Sequence, residues 1–196
     1  MQQATDTTRA PAPGAPYRFT VDEYVRMGEL GVLNPAARTE LVDGQIVLMA
    51  PVNAPHVVTK NAVRRRIEAA LAGSPDREVI DQDPVRIPDA DVPQPDVAVV
   101  RPMTRAALAS AADALLVVEV SDTTLADDLG RKRLLYGGAG VPTYWVADVN
   151  GRVLHRFAEP RDGDYRVHEI LTAEMAVRVP GAAGEAAAVR VAAFFP

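Results

Sequence analysis

Two acidic residues stand where apolar strands are expected. Glu119 lies within LLVVEVS, and strand alternation puts it on one face with Leu115, Val117 and Ser121, while Leu116, Val118 and Val120 take the other. An ionised carboxylate among such neighbours is costly unless a cation or strong donors meet it. The plainer alternative is a strand end that emerges into solvent at Ser121 and Asp122. Asp96 opens PDVAVV, between Pro95 and the apolar Val97 to Val100, where an isolated Asp reads as turn chemistry. Taken as a pair, carboxylates at the ends of neighbouring strands supply oxygen ligands to one hard cation such as Mg²⁺, which accepts a few carboxylates and keeps several waters. Such an ion activates water and neutralises charge on a phosphodiester.

A cation belongs beside such a pair. Lys132 follows Glu119 on the helix expected over DDLGRKRLLY, and Asp128, Lys132 and Tyr136 recur every four residues as one polar stripe. A surface Asp–Lys helix pair, worth only ~0.3 to 0.5 kcal/mol, is the alternative. Composition favours a special role: of 21 cationic residues, 19 are arginine, and only Lys60 and Lys132 are lysine. A compact ammonium can touch one water or one phosphoryl oxygen, which a broad guanidinium does less well. Lys60 reads as a surface residue. Glu40, beside Arg38 and Leu41 in the first hairpin, is a surface strand residue unless that hairpin folds toward Asp96 and Glu119. His56, at a helix N-terminus with no partner histidine nearby, points to capping or a substrate contact rather than to metal. The run Arg64, Arg65, Arg66 is either a solvated helix face or an approach to phosphates. His155 and His168 receive no role.

These side chains need a scaffold, and the chain is long enough to build one. With 196 residues, 48% hydrophobic and 24% charged, it reads as one globular domain over residues 17–196. The proline-rich opening, residues 1–16, reads as a disordered tail and fits neither a signal peptide nor a membrane anchor. The absence of cysteine excludes disulfides, Cys-type zinc sites and thiol catalysis, and a soluble cytoplasmic protein is expected. A net charge of −5 excludes broad electrostatic capture of a polyanion, so any nucleic-acid contact is local. Thr20 and Glu23 form a capping-box signature for a helix through about Glu29, and Asp43-Gly44 marks a hairpin. A helix is expected from about His56 to Ala72, then proline-punctuated strands of about five to seven residues. ALLVVEVS reads as a buried central strand, and the helix after it stops at Gly137-Gly138. A hairpin through Asn150-Gly151, a strand over Asp164 to Ile170 and a loose Ala-rich C-terminal segment complete an α+β or mixed α/β fold.

The succession ELVDGQIV, HVVTKNAVRRRIEAAL, QPDVAVV, LVVEVSDTT and DDLGRKRLLYGGAGVPTYWVAD resembles the Uma-two family of putative restriction endonucleases, a branch of the PD-(D/E)XK nuclease superfamily. The likeness runs from about Phe19 to Asp148 and more weakly to AAFFP. It is most specific where Lys132, Tyr136, Gly140, Val141, Tyr144 and Trp145 stand in register. The resemblance implies a restriction-endonuclease-like central mixed sheet flanked by helices, with additional β-hairpins. It also implies dependence on Mg²⁺ or Mn²⁺ and hydrolysis of DNA phosphodiester bonds, with a homodimer expected because paired cuts need paired sites. By position, Asp96 matches the PD aspartate, Glu119 the acidic residue of the third motif and Glu40 the accessory glutamate; these three are the implied metal ligands. Ser121 stands where the superfamily places its lysine, and the following helix supplies Lys132 instead. In this reading Lys132 orients or helps deprotonate the attacking water, Tyr136 and Asp128 position it, and His56, Arg64 and Arg65 approach phosphates. The rivals are a catalytically silent nuclease-like module that binds DNA or protein, and a structural or oligomerising protein.

Overall fold

The computed structural model describes residues 14–34, 37–88, 91–102, 108–184 and 187–196, so most of the expected tail lies outside the described residues. Local signals account for the first elements. Helix α1 (Val21–Glu29) starts in a complete capping box, Glu23 N–H donating to Thr20 Oγ1 at 3.2 Å and Thr20 N–H to Glu23 Oε2 at 2.8 Å. Strands β1 (Thr39–Val42) and β2 (Gln45–Leu48) pair antiparallel around Asp43 and Gly44, whose φ values of 48° and 70° give the turn its twist. Helix α2 (Ala54–Ala70) begins two residues before His56, because Asn53, not His56, is the N-cap: Asn53 Oδ1 accepts from His56 N–H at 3.0 Å.

The proline-rich stretch yields shorter strands than the expected five to seven residues: β3 (Glu78–Ile80), β4 (Val85–Arg86) and β5 (Val97–Val100). Pro84, Pro88, Pro93 and Pro95 withhold backbone donors and end each ladder early. β6 (Ala109–Ser110) pairs parallel with β4. β7 (Ala114–Ser121) is the buried strand the sequence leads one to expect. The helix after it has three parts: α3 (Leu125–Asp127), a wider π-type turn over Asp128–Lys132, and α4 (Arg133–Gly138). Then come β8 (Thr143–Asp148), β9 (Val153–Arg161), β10 (Asp164–Leu171), β11 (Ala176–Arg178) and β12 (Ala188–Arg190), the last two paired with each other. The β8–β9 hairpin forms, but as a four-residue connection with Arg152 at φ 52° rather than a two-residue Asn-Gly turn. Asp148 Oδ1 accepts the amides of Asn150 and Gly151 there, and a Cβ on Gly151 would come within 2.4 Å of Asp148 Oδ2.

Six strands form one mixed sheet in the order β10-β9-β8-β7-β5-β3, with β7–β8 its parallel pair. The fold is mixed α+β. One face of the sheet packs Leu116, Val118, Val120 and Trp145 against Val63 and Ile67 of α2 and against Phe194. The other packs Val117, Val146 and Phe157 against Tyr136 of α4 and Tyr144. Leu115 departs from the expected alternation: Val99 pairs with Leu116 but Val100 with Ala114, and the bulged Leu115 packs with the first cluster. The C-terminal segment is not loose, since a 3₁₀ turn over Val191–Phe194 seats Phe194 and Phe195 in that same core. Nor is Lys60 a surface residue; it is buried on α2 and its Nζ lies 2.7 Å from Asp81 Oδ1. No described helix is long and apolar enough to cross a membrane.

Candidate active site

Strand direction decides where the carboxylates meet. β5 runs antiparallel to β7, with Val97 opposite Val118, so the entrance to β5 lies beside the carboxyl end of β7. Beyond that last pair the Val120 amide has no partner in β5, and Asp96 Oδ2 accepts it at 2.8 Å. The same oxygen lies 3.0 Å from His56 Nε2, at the start of α2. Glu40 arrives through a non-local connection. Leu41 of β1 bridges to Val92, and Glu40 Oε1 accepts from the Gln94 amide at 2.8 Å while the Gln94 side chain donates to the Thr39 carbonyl. The segment leading into Asp96 therefore carries the first hairpin against the sheet.

Glu119 is 3% exposed, and two donors meet its Oε1: Tyr136 O–H at 2.9 Å and Lys132 Nζ at 3.0 Å. Lys132 Nζ lies 3.6 Å from Asp128 Oδ1, and Asp128 Oδ2 accepts from Thr124 Oγ1 at 2.5 Å. The π-type turn explains why three residues at a spacing of four face one strand. In an α-helix a four-residue step over-rotates by about 40°. In the wider turn over Asp128–Lys132 the same step falls short of a full rotation, so the two offsets cancel between Asp128 and Tyr136. Tyr144 O–H holds that turn by donating to the Asp128 carbonyl at 3.0 Å.

An open cleft of about 220 Å³ is lined by Glu40, Asp96, Glu119, Asp128, Lys132 and His56. Arg64 and Arg65 are not among its lining residues. Arg64 pairs with Glu68 at 2.6 Å and Asp81 at 3.5 Å, and Arg65 is exposed on α2. Gln94 and Thr124, which position Glu40 and Asp128, carry no sequence signal of their own, because each acts through a contact that only the folded chain makes.

The electrostatics follow from four carboxylates crowding one ammonium. Burial pushes the Glu119 carboxyl up to about 8 against the pull of the Lys132 ammonium, and the charges of Asp128, Asp96 and Glu40 add to the rise. For Lys132 burial opposes the charge, but the carboxylates of Glu119, Glu40 and Asp128 outweigh it and hold the ammonium above the ordinary lysine range. Negative potential from the clustered acids contributes to both rises, second to burial for Glu119 and as the deciding cause for Lys132. Tyr136 is likewise pushed well above its usual value by burial and by Glu119, so it stays a phenol that donates.

Excess negative potential among hard oxygens is the environment a divalent cation relieves. Glu119 Oε2 and Asp96 Oδ1 have no hydrogen-bond partner among the described residues, while the second oxygen of each is held by protein donors. The donor set thus fits such a cation in kind. Among the described residues no three Asp, Glu or His side chains converge on a single ion position as they stand.

Comparison with known proteins places the chain at two levels, fold and family. A crystal structure described as a putative nuclease belonging to DUF820, from Anabaena variabilis, has a TM-score of 0.67 to this chain at 14% sequence identity, covering 90% of this chain and 97% of that one, which shows a common fold. Residues 21–190 match the Uma2 family, described as putative restriction endonuclease, and the chain belongs to that family. No curated protein matches it.

Proposed function

We propose that the chain is a divalent-metal-dependent endonuclease that hydrolyses DNA phosphodiester bonds in this cleft. The observation that carries the reading is the 3.0 Å contact of Lys132 Nζ with Glu119 Oε1 in a cleft that Asp96 and Glu40 also line. Ser121, at the position where the superfamily carries its lysine, is fully buried with its Oγ 3.4 Å from Thr124 Oγ1. A lysine relocated to the following helix supplies the missing charge.

In this reading Asp96, Glu119 and Glu40 hold Mg²⁺ or Mn²⁺, which when bound lowers the pKa of a water and neutralises phosphate charge. The residues of the chain do the rest. Lys132, an ammonium held by Glu119 and Asp128, donates to the attacking water or to a phosphoryl oxygen as charge develops there. Tyr136 fixes the Glu119 carboxyl through its O–H, and His56 fixes Asp96. Water oxygen bonds to phosphorus as one P–O ester bond breaks; the water gives up a proton to solvent, and the departing oxygen takes one from solvent. His56 lines the cleft and is left for a substrate role, whereas Tyr136 is fully buried behind Glu119 and, like Arg64 and Arg65, does not line the cleft. Cutting both strands of a duplex needs two clefts, so the working unit is expected to be a homodimer.

A second reading has a specific basis. Asp96 is already paired with His56 and Glu119 with Lys132, and no three ligands converge, as in a module that binds DNA without cutting it. Nicking of supercoiled plasmid, with Mn²⁺ binding measured by calorimetry, separates the two. The endonuclease reading expects nicking in Mg²⁺ or Mn²⁺ that EDTA or Asp96→Asn abolishes. Duplex binding with neither Mn²⁺ affinity nor nicking establishes the silent module.

A further inference from the structure

The cations of the cleft are committed to carboxylates, with one exception. Lys132 lies against Glu119 and Asp128, His56 against Asp96, and Arg131 makes a two-pronged contact with Asp127, Nε and Nη2 each at 2.9 Å. Arg38 lines the same cleft, and its guanidinium makes no hydrogen bond or ion pair among the described residues. Its Nη2 is buried and unpartnered. A buried donor on a permanent cation without an acceptor is a costly arrangement in a folded chain, and in an open cleft it is met by water or by a group that arrives from outside.

The hairpin sets up this arrangement. The Met49 amide donates to the Arg38 carbonyl at 2.9 Å, which extends the β1–β2 ladder one residue past Thr39 and Leu48. Alternation then puts Arg38 on the same face as Glu40, with Val47 opposite Glu40 and Met49 opposite Arg38. Glu40 shares that face but makes no ion pair with Arg38, and its Oε1 accepts the Gln94 amide. The neighbours across the hairpin are apolar and offer no acceptor, and they reduce screening, which strengthens attraction for an incoming anion. The guanidinium fork matches two phosphate oxygens.

We propose that Arg38 is a phosphate anchor: it binds the non-bridging oxygens of a nucleic-acid phosphodiester and fixes the strand against the carboxylates of the cleft. This assignment rests on the endonuclease reading and adds a substrate-binding residue to it. It also resolves how an acidic chain with a net charge of −5 holds a polyanion, through a single uncommitted cation at the site rather than a basic surface.

The test measures binding of a short fluorescein-labelled DNA duplex by anisotropy across a salt series, in a Glu119→Gln background with Mg²⁺ so that no strand is cut. Plasmid nicking by the wild-type protein and by Arg38→Gln with Glu119 intact is followed in parallel. Arg38→Gln is expected to weaken binding about tenfold, the size of one charge-assisted hydrogen-bond pair. The slope of log affinity against log salt should become shallower by about 0.9, the signature of one lost phosphate contact. Arg38→Lys should keep the slope and lose part of the affinity. Unchanged affinity in Arg38→Gln, or weaker binding with an unchanged slope, overturns the assignment while wild-type nicking leaves the endonuclease reading standing. A wild-type protein that neither binds nor nicks DNA removes both together. Thermal unfolding of each variant confirms that the fold is retained, and Arg38→Met, neutral with a similar stem, carries the slope test if Arg38→Gln unfolds.

Discussion

The two faces of β7 are built from alternate residues of one eight-residue strand, yet they have opposite characters. Leu116, Val118 and Val120 enter a cluster with α2 and the C-terminal phenylalanines in which every member is apolar. Val117, Glu119 and Ser121 face the other way, where the core begins as aromatic and aliphatic around Tyr144 and Phe157 and becomes polar toward the carboxyl end of the strand. The strand residues on both faces are equally buried. The difference is that the charged groups at the polar end of the second face meet local partners: Tyr136 and Lys132 for Glu119, Thr124 for Asp128, and the Val120 amide for Asp96. One face therefore holds the sheet together and the other concentrates charge at the carboxyl end of the parallel β7–β8 pair.

Substitutions on the two faces should separate activity from stability. The largest effect is expected from Glu119→Gln, which keeps the shape and an acceptor for Tyr136 but removes the ionisable oxygen; nicking should fall by about 10³-fold or more with little change in melting temperature. Nicking at the wild-type rate would mean that the polar face does no chemistry. Leu116→Ala, on the apolar face, should cost about 3 kcal/mol in urea unfolding, from lost burial and the cavity left behind. The fraction that remains folded should nick at the wild-type rate, and a lower specific activity would show that the faces are not independent. Lys132→Gln should reduce nicking by about 10²-fold. That loss is smaller than for Glu119 because the amide still reaches as a neutral donor, and a rate equal to the wild type would make Lys132 a structural partner of Glu119 only.

How much of this was legible beforehand depended on whether the deciding interaction was local. Glu119 and Asp96 stand out because a carboxylate next to a run of valines violates a period-two pattern. Lys132 stands out because the chain otherwise prefers arginine, and the capping box and the Asp43-Gly44 hairpin are encoded within four residues. Glu40 could only be conditional, since its place beside the cleft depends on the Leu41–Val92 bridge some fifty residues apart in sequence. Lys60 was misread for the same reason, its partner Asp81 lying beyond the end of its helix. The C-terminal segment has no period to read, being alanine-rich, and only the sheet explains why Phe194 and Phe195 are buried. Arg38 was invisible as a candidate because what distinguishes it is the lack of a partner, and that property does not exist until the chain is folded.

The smallest expected effect concerns the far end of the polar face, where a second pair of titratable groups meets without a catalytic setting. His155 Nδ1 and His168 Nε2 lie 3.1 Å apart on β9 and β10, and His168 stacks on Phe157 with ring centroids 4.2 Å apart. Burial lowers the pKa of His155, with the charge of His168 adding to it and Asp148 opposing; burial and then Arg133 lower that of His168. A base with a depressed folded-state pKa favours the fold only in its neutral form. The contribution is therefore complete above the ordinary value of 6.5 and is lost as pH falls through the depressed values. The melting temperature of the wild-type protein should decline gently between pH 7 and pH 5, and His168→Gln, which keeps a donor and acceptor beside His155, should decline less. If the two profiles run parallel, the histidine contact is neutral to stability, and the polar face is pH-sensitive only at its carboxylate end.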